Sequence, residues 1–135
     1  MRLTVDTTHL SVVAASSCTV NGTAHYRDYN RRTGQVTYGR QDFALTGTTV
    51  VAVAAAPDPG VEREILAITC AESAGTPAAE TLTFAIATLS GSTYTQTTEL
   101  FKAALATGAE VVEYAPGTGW LVYTAEGNIF AQVAA

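Results

Sequence analysis

The sequence has little charge, and this shortage removes one class of partner. Charged residues make up 14% of the 135 residues, with 12 acids against 7 bases and a formal net charge of −5. Lys102 is the only lysine. Phosphate backbones require clustered lysine and arginine, so we expect no nucleic-acid partner.

Cysteines, histidines and long apolar runs are also scarce. Cys18 and Cys70 lie in apolar, strand-like runs, where a buried thiol behaves as a small hydrophobe. We expect both to be free, with a disulfide as the alternative. His9 and His25 have no metal-ligand spacing, and no run approaches the roughly 18 apolar residues of a membrane span. These shortages predict no metal, no cofactor and no membrane span. We also expect the chain to be made in a reducing cytosol.

The sequence also lacks the usual catalytic signatures. Cys18 follows Ser16-Ser17 without the glycines of a hydrolase nucleophile elbow. Glu110 and Glu113 lie three residues apart in a strand-like run, so their carboxylates face opposite sides. No glycine-containing turn matches a phosphate-binding loop. We therefore expect no enzymatic activity.

What the sequence does contain is alternating β character separated by turns. The last third holds three apolar runs, Val111–Tyr114, Trp120–Thr124 and Ile129–Val133, with turn residues between them, which predicts a three-stranded antiparallel meander. Thr81–Leu89 shows the cleanest alternation. With no convincing helix, we predict an all-β fold, an Ig-like or jelly-roll-like antiparallel β-sandwich with an N-terminal β extension. The expected core comprises Leu66, Ile68, Leu82, Phe84, Ile86, Val112, Trp120 and Val122.

A proline-rich stretch suggests a division of the chain into two parts. Ala54–Gly60 reads AAAPDPG, in which two prolines prevent regular strand pairing. We interpret it as the hinge between an N-terminal β extension, residues 1–45, and a β-sandwich domain, residues 46–135. Within the first part, Asn21-Gly22 predicts a hairpin turn or a bulge, and Arg27–Gly34 predicts a polar surface loop.

The N-terminal part has the densest positive charge and few large apolar residues. We therefore predict that residues 1–45 form a docking or oligomerisation element whose arginines meet acidic groups on a partner. A chain beginning near Thr46 would then remain folded but fail to assemble. The residues assigned to docking are Arg27, Tyr29, Arg31, Arg32 and Arg40.

The order of several short motifs resembles that of small structural proteins of tailed bacteriophages. Each motif is weak alone, and together they extend from about residue 20 to the C-terminus. The motifs are His25-Tyr26-Arg27-Asp28-Tyr29, Ala56-Pro57-Asp58-Pro59-Gly60, Val61-Glu62-Arg63-Glu64-Ile65-Leu66-Ala67-Ile68, Thr81-Leu82-Thr83-Phe84, Leu105 to Tyr114, and Gly119-Trp120-Leu121-Val122.

The resemblance implies a non-enzymatic β-sandwich component of a virion, present in many copies. Such a protein would decorate the head, form a head fibre, or belong to the neck, collar or tail. Its partners would be copies of itself, as a homo-oligomer with a trimer among the options, and capsid, portal, neck or tail proteins. It would be made in the bacterial host cytoplasm and reside in the virion.

A carbohydrate-binding β-sandwich module is the alternative that the sequence leaves open. Aromatic side chains could form a flat platform for a host-surface glycan, and many sugar-binding modules are β-sandwiches. A tryptophan in a tight apolar strand is more commonly a core residue. The candidate platform consists of Tyr94, Tyr114, Trp120 and Tyr123.

Overall fold

The computed structural model describes residues 1–16, 18–72, 79–106, 110–124, 127 and 129–133, the last four of them as backbone only. These residues form two antiparallel sheets, and none of them is helical. The predicted all-β, sandwich-like fold is confirmed. The strands are β1 (Arg2–Leu3), β2 (His9–Ala14), β3 (Thr19–Asn30), β4 (Val36–Thr46), β5 (Val51–Ala54), β6 (Val61–Glu72), β7 (Glu80–Ser90), β8 (Thr93–Leu105), β9 (Val111–Ala115), β10 (Gly119–Tyr123) and β11 (Ile129–Val133).

The seven-stranded sheet has the order β11-β10-β9-β6-β3-β4, and β1 also pairs with β6. The four-stranded sheet has the order β5-β2-β7-β8. The predicted meander is present, because β9, β10 and β11 pair in succession as antiparallel neighbours. Gly117, at φ 83°, lies in the turn between β9 and β10, a conformation that suits glycine because it has no Cβ.

Aromatic rings from both sheets meet in the core. Trp120 of the large sheet is 4% exposed, and its ring centroid lies 4.6 Å from that of Phe84 and 5.2 Å from that of Phe101 in the small sheet. Tyr114 approaches the same indole at 5.0 Å. Aromatic pairs at these separations contribute beyond the area that they bury. This cluster therefore joins the two layers.

Most of the predicted core residues are buried, but one strand places a neighbour there instead. Ile65 and Ile68 are both fully buried, whereas Leu66 is only partly buried. The pairing of β3 with β6 shifts at this point: His25 is opposite Ala67, and the next residue of β3 is opposite Ile65. Leu66 is thus the extra residue of a β-bulge, which changes the alternation of the strand. Ile86 is also partly buried and packs against the core.

Residues 1–45 are integrated in both sheets, which differs from the two-part division predicted from the sequence. β2 lies between β5 and β7, and β3 lies between β6 and β4. Of the twenty-two residues that form the buried core cluster in the described part of the chain, eight come from this segment. The stretch Ala54–Gly60 connects β5 of one sheet to β6 of the other. The stretch is therefore a connection between the two layers of the sandwich. Short connectors are sufficient for such crossings.

Strand β3 is longer than the sequence suggested. It runs without interruption through Asn21-Gly22, and it includes Arg27–Asn30, which we had predicted to be a loop. The two charged side chains of this stretch are accommodated because each faces an oppositely charged neighbour across the strand pair: Arg27 faces Glu64, and Asp28 faces Arg63. The actual turn is confined to residues 31–35, where the N–H of Gly34 donates to the carbonyl of Asn30 at 2.8 Å.

Two glycines in the β3–β4 hairpin lie beneath aromatic rings of the opposite strand. Gly22 is paired with Phe43, and Gly39 is paired with Tyr26. A Cβ at Gly22 would lie 2.3 Å from the ring of Phe43, and one at Gly39 would lie 2.6 Å from the ring of Tyr26. Any side chain would collide with these rings. Both positions therefore require glycine, because the aromatic ring of the opposite strand occupies the space that a Cβ would need. Aromatic rings cover strand glycines in this way in other sheets.

A buried carboxylate ties the end of β2 to the start of β7. Glu80 is 6% exposed, and its Oε1 accepts the N–H groups of Ala15 at 3.0 Å, Ser16 at 3.1 Å and Thr81 at 2.8 Å. Its Oε2 accepts the hydroxyl of Ser16. Burial alone would raise the pKa of Glu80, but these four hydrogen bonds outweigh it and lower the pKa below the ordinary 4.5. The ionised carboxylate is therefore the form that the fold binds.

We expect Glu80→Gln to destabilise the protein by about 1–3 kcal/mol at pH 7, since it weakens hydrogen bonds to a charged acceptor. A carboxyl whose pKa is lowered in the folded state contributes its stability above its unfolded pKa. That contribution is lost as the pH falls through the folded pKa. Urea unfolding between pH 7 and pH 3 should therefore show the difference between the two proteins shrinking as the solution becomes acidic. The exposed Glu99→Gln serves as the control, with an effect within about 0.5 kcal/mol. A constant difference across this range would contradict the assignment.

Candidate functional site

The far end of the β3–β4 hairpin extends beyond the rest of the large sheet. β9 covers only Ile68–Ala71 of β6, whereas β3 continues along β6 as far as Val61. The extended part is therefore a three-stranded ribbon in the order β6-β3-β4, with the two residues of β1 against the side of β6. Side chains alternate across such a ribbon, so one of its faces is directed away from the core.

The outer face of this ribbon carries a cluster of exposed aromatic and aliphatic side chains. Tyr38 is 74% exposed, Val36 46% and Tyr29 42%. Tyr29 and Val36 are directly opposite each other across the two strands, and Tyr38 is opposite Arg27. We call the surface formed by these four residues and Arg40 the hairpin patch. Clustered exposed apolar groups with a polar rim are typical of interaction surfaces.

Ion pairs surround the hairpin patch. Arg27 pairs with Glu64, Arg31 with Glu62 at 2.9 Å, and Arg40 with Asp42 at 2.9 Å. Exposed ion pairs contribute little to stability, so the side chains of these three pairs remain available to a partner.

A groove of about 340 Å³ lies between β1 and β4 on the same face. It is lined by Arg2, Arg27, Tyr29, Val36, Glu62 and Glu64.

The opposite face of the ribbon is held by one arginine. Arg63 donates from Nε and Nη2 to the two carboxylate oxygens of Asp28, both at 2.8 Å, and from Nη1 to the carbonyl of Ala55 at 3.0 Å. Its guanidinium also lies 3.9 Å from the ring centroid of Tyr26. The hydrogen bonds to Asp28 raise the pKa of Arg63 above its ordinary value. This two-point ion pair fixes the ribbon against the β5–β6 connection.

The structure brings together the residues that the sequence assigned to docking. Arg27, Tyr29 and Arg40 lie on the outer face of the ribbon. Arg31 is at its tip and reaches Glu62 of the same face. Arg32 lies in the turn, where its backbone N–H donates to the side-chain oxygen of Asn30 at 3.0 Å. The predicted acidic partner groups are in part supplied by the chain itself, since three of the four arginines of β3, β4 and their turn are ion-paired.

Sequence reasoning missed the apolar members of the surface. Val36 and Tyr38 follow Arg27–Gly34, and a loop predicted over that stretch gave no reason to align them with Tyr29 and Arg27 across a hairpin. The signal was present in the alternation of β4, where Val36, Tyr38 and Arg40 share one face and Thr37, Gly39 and Gln41 the other. Pairing with β3 then places the first set beside Tyr29 and Arg27.

The aromatic platform of the carbohydrate interpretation is not formed. Trp120 and Tyr114 are each 4% exposed and pack in the core. Tyr94 lies on β8 of the small sheet, where its ring packs edge-on against His9 at 5.1 Å. Tyr123 is partly buried at the end of β10. The four residues therefore do not form one exposed surface: Trp120 and Tyr114 lie in the core, Tyr94 is on the small sheet, and Tyr123 is at the end of β10.

The remaining reactive side chains have structural roles. The N–H of Ala56 donates to Nδ1 of His9 at 3.1 Å, and burial lowers the pKa of that imidazole. Cys18 and Cys70 are free thiols; burial raises the pKa of Cys70 to about 12 and is the main cause that raises the pKa of Cys18 to about 11. Such thiols are largely protonated at neutral pH and therefore poor nucleophiles. The hydroxyl of Ser11, fully buried, donates to the carbonyl of Ala85 at 2.9 Å.

No group of three or more histidine, cysteine, aspartate or glutamate side chains is placed to hold a metal ion within the described part of the chain. Among the same residues, no helix is long and apolar enough to cross a bilayer. Compared with known proteins, the sequence matches no family model, no curated protein and no solved structure.

Proposed function

We propose that this protein is a non-enzymatic structural subunit of a tailed-phage particle, attached in several copies to the head, neck or tail. The observation that carries the proposal is the hairpin patch. It presents an aromatic and aliphatic centre with a rim of arginine and glutamate on an extension of a stable sandwich. Interfaces that are buried on assembly have this combination of aromatic centre and arginine-rich rim.

The order of motifs that resembles small virion proteins supports the particle, and the geometry supports the mode of attachment. Residues from β3, β4 and β6 meet at one surface, so docking does not need a separate arm. The anchored ribbon enters the interface already ordered by the Asp28–Arg63 pair. Preorganisation reduces the conformational entropy that is lost on binding. The arginines at the rim would steer the encounter with an acidic partner surface, which makes the association rate sensitive to salt.

The neighbouring open reading frames test the biological assignment directly. Genes for a major capsid protein, a portal and a tail beside this one are the expected result. A neighbourhood of secreted hydrolase modules would contradict it. Immunogold labelling of particles from the same lysate, with antibody against this chain, should then mark a fixed position on the virion. Particles that lack the label would also refute the proposal.

A further inference from the structure

Strand β4 has a regular, open edge. It pairs with β3 through eleven consecutive residues without a bulge, and it is the last strand on its side of the large sheet. The hydrogen-bonded pairs are fixed at both ends of the hairpin. The N–H of Asn30 donates to the carbonyl of Gln35, and the N–H of Gly47 donates to the carbonyl of Cys18, each at 2.9 Å.

These two end pairs determine which backbone groups of β4 point outward. In an antiparallel pair, hydrogen-bonded and non-hydrogen-bonded positions alternate. The odd-numbered residues of β4 therefore bond to β3, and the N–H and carbonyl groups of Val36, Tyr38 and Arg40 point away from it. None of these three residues has a backbone partner on another strand in the described part of the chain. The outward edge is thus a row of unsatisfied donors and acceptors beside exposed side chains.

The open length is limited by β5. The side chain of Gln41 donates to the carbonyl of Ala52 at 3.2 Å and accepts the N–H of Ala55 at 2.9 Å. β5, the edge strand of the other sheet, therefore contacts β4 at Gln41. The accessible edge is residues 36–40, with Tyr38 at its centre. By contrast, β8, an edge strand of the four-stranded sheet, pairs with β7 with register shifts at two places, and bulges of this kind protect an edge from further pairing.

We propose that the open edge of β4 pairs antiparallel with the same edge of a second copy of this chain, about a two-fold axis at Tyr38. This deepens the proposed function by naming one partner of the hairpin patch, and it rests on that function only for its biological context. Two large sheets would then join into one continuous sheet through main-chain hydrogen bonds. An isologous contact of this kind closes as a dimer.

The charges favour a second copy as the occupant. Five of the seven basic residues of the chain, Arg2, Arg27, Arg31, Arg32 and Arg40, lie on or beside the hairpin patch, together with Asp42, Glu62 and Glu64. This surface therefore has five bases against three acids, whereas the rest of the chain has two bases against nine acids. Among isologous contacts between two copies, one through this surface brings the smallest net charges together.

The side chains favour the register centred on Tyr38. This register pairs all five open residues and places the two Tyr38 rings opposite each other, where cross-strand aromatic pairs are favourable. Val36 is then opposite Arg40 of the second copy, whose aliphatic stem can cover it. A register centred on Arg40 would set two like charges opposite each other. It would also extend past Gln41, where β5 contacts the strand.

Two substitutions at one position separate strand pairing from side-chain contact. Tyr38→Pro removes an outward N–H and leaves the hydrogen bonds to β3 intact, while Tyr38→Thr removes the ring and keeps the N–H. By light scattering, the wild type should have twice the chain mass of 14.0 kDa. Tyr38→Pro should have the mass of one chain with an unchanged circular dichroism spectrum, and Tyr38→Thr should still form dimers. A monomeric wild type, a dimeric Tyr38→Pro variant, or loss of the dimer in both variants would overturn the proposal.

A cross-linking experiment does not depend on how the proline variant folds. In a Cys18→Ser background, Tyr38→Cys should form a covalent dimer on mild oxidation, because directly opposite residues have the Cα separation that a disulfide needs. Thr95→Cys on β8 is the control and should not cross-link. Failure of Tyr38→Cys to cross-link would refute the Tyr38 axis. If the protein is a dimer but its gene has no phage neighbours, the proposed function is refuted and this inference stands. If the protein is found on virions but is a monomer, this inference is refuted and the proposed function stands.

Discussion

A chain that begins at Thr46 is expected to be unfolded in dilute buffer. The deletion removes β2 from between β5 and β7, and it removes β3 and nearly all of β4 from beside β6. Six large apolar side chains leave the core with them, which together contribute on the order of 10 kcal/mol or more. That is comparable to the entire stability of a typical domain. These side chains are Leu3, Leu10, Val12, Val20, Phe43 and Leu45.

Circular dichroism and urea titration of the truncated chain test this expectation. The spectrum should lack the β signal, and Trp120 should emit like an indole in water. The control is a full-length chain in which Arg27, Arg31 and Arg40 are changed to alanine. It should stay folded, since all three side chains are largely exposed. A cooperative unfolding transition in the truncated chain would show that residues 46–135 fold as an independent domain, and it would contradict this expectation.

Trp120→Ala is expected to cost about 3–5 kcal/mol, the usual range for removing a large aromatic side chain from a core. The indole contacts rings from both sheets, so the cavity would lie between layers that close packing prevents from collapsing fully. A loss of this size is a large fraction of the stability of a domain of this length. The protein should remain folded only within a narrow range of temperature and denaturant.

Denaturant midpoints provide the measurement, with circular dichroism as the probe because the variant lacks its only tryptophan. Leu89→Ala is the matched control, because Leu89 is 43% exposed and its removal should change stability by no more than about 0.5 kcal/mol. In the wild type, native fluorescence should be blue-shifted relative to the unfolded protein. A small effect of Trp120→Ala would mean that the indole is a surface residue.

The fold class could be predicted because hydrophobic alternation and turn residues are local signals. The meander from Val111 to Val133 and the alternation of Thr81–Leu89 both depend only on neighbouring residues, and the structure has strands at both places. The bulge at Leu66 could not be predicted, because it is defined by the register with β3 rather than by the sequence of β6. One extra residue was enough to place Ile65, and not Leu66, in the fully buried core.

The division predicted at Ala54–Gly60 also rested on a local signal. The prolines of Ala54–Gly60 do interrupt a strand, but an interruption marks a change of sheet as readily as a change of domain. The polar composition of Arg27–Asn30 indicated a loop because its partners, Glu62, Arg63 and Glu64, are more than thirty residues away. Long-range charge pairs stabilise a strand that local propensity disfavours. The residues predicted to dock lie on one hairpin, since they are close together along the chain.

The covered glycines of the β3–β4 hairpin lead to an expectation about evolutionary variation. Gly22 under Phe43 and Gly39 under Tyr26 belong to the same alignment of the two strands, so each ring has space only where its glycine is. Within a set of descendants of this sequence, the two members of the Gly39–Tyr26 pair should change together. Loss of the Tyr26 ring should release Gly39 to become alanine or valine. A Cβ at Gly22 would also lie 2.6 Å from Cβ of Cys70, so loss of Phe43 alone should not release Gly22. Such paired changes would preserve the alignment that directs Val36, Tyr38 and Arg40 outward.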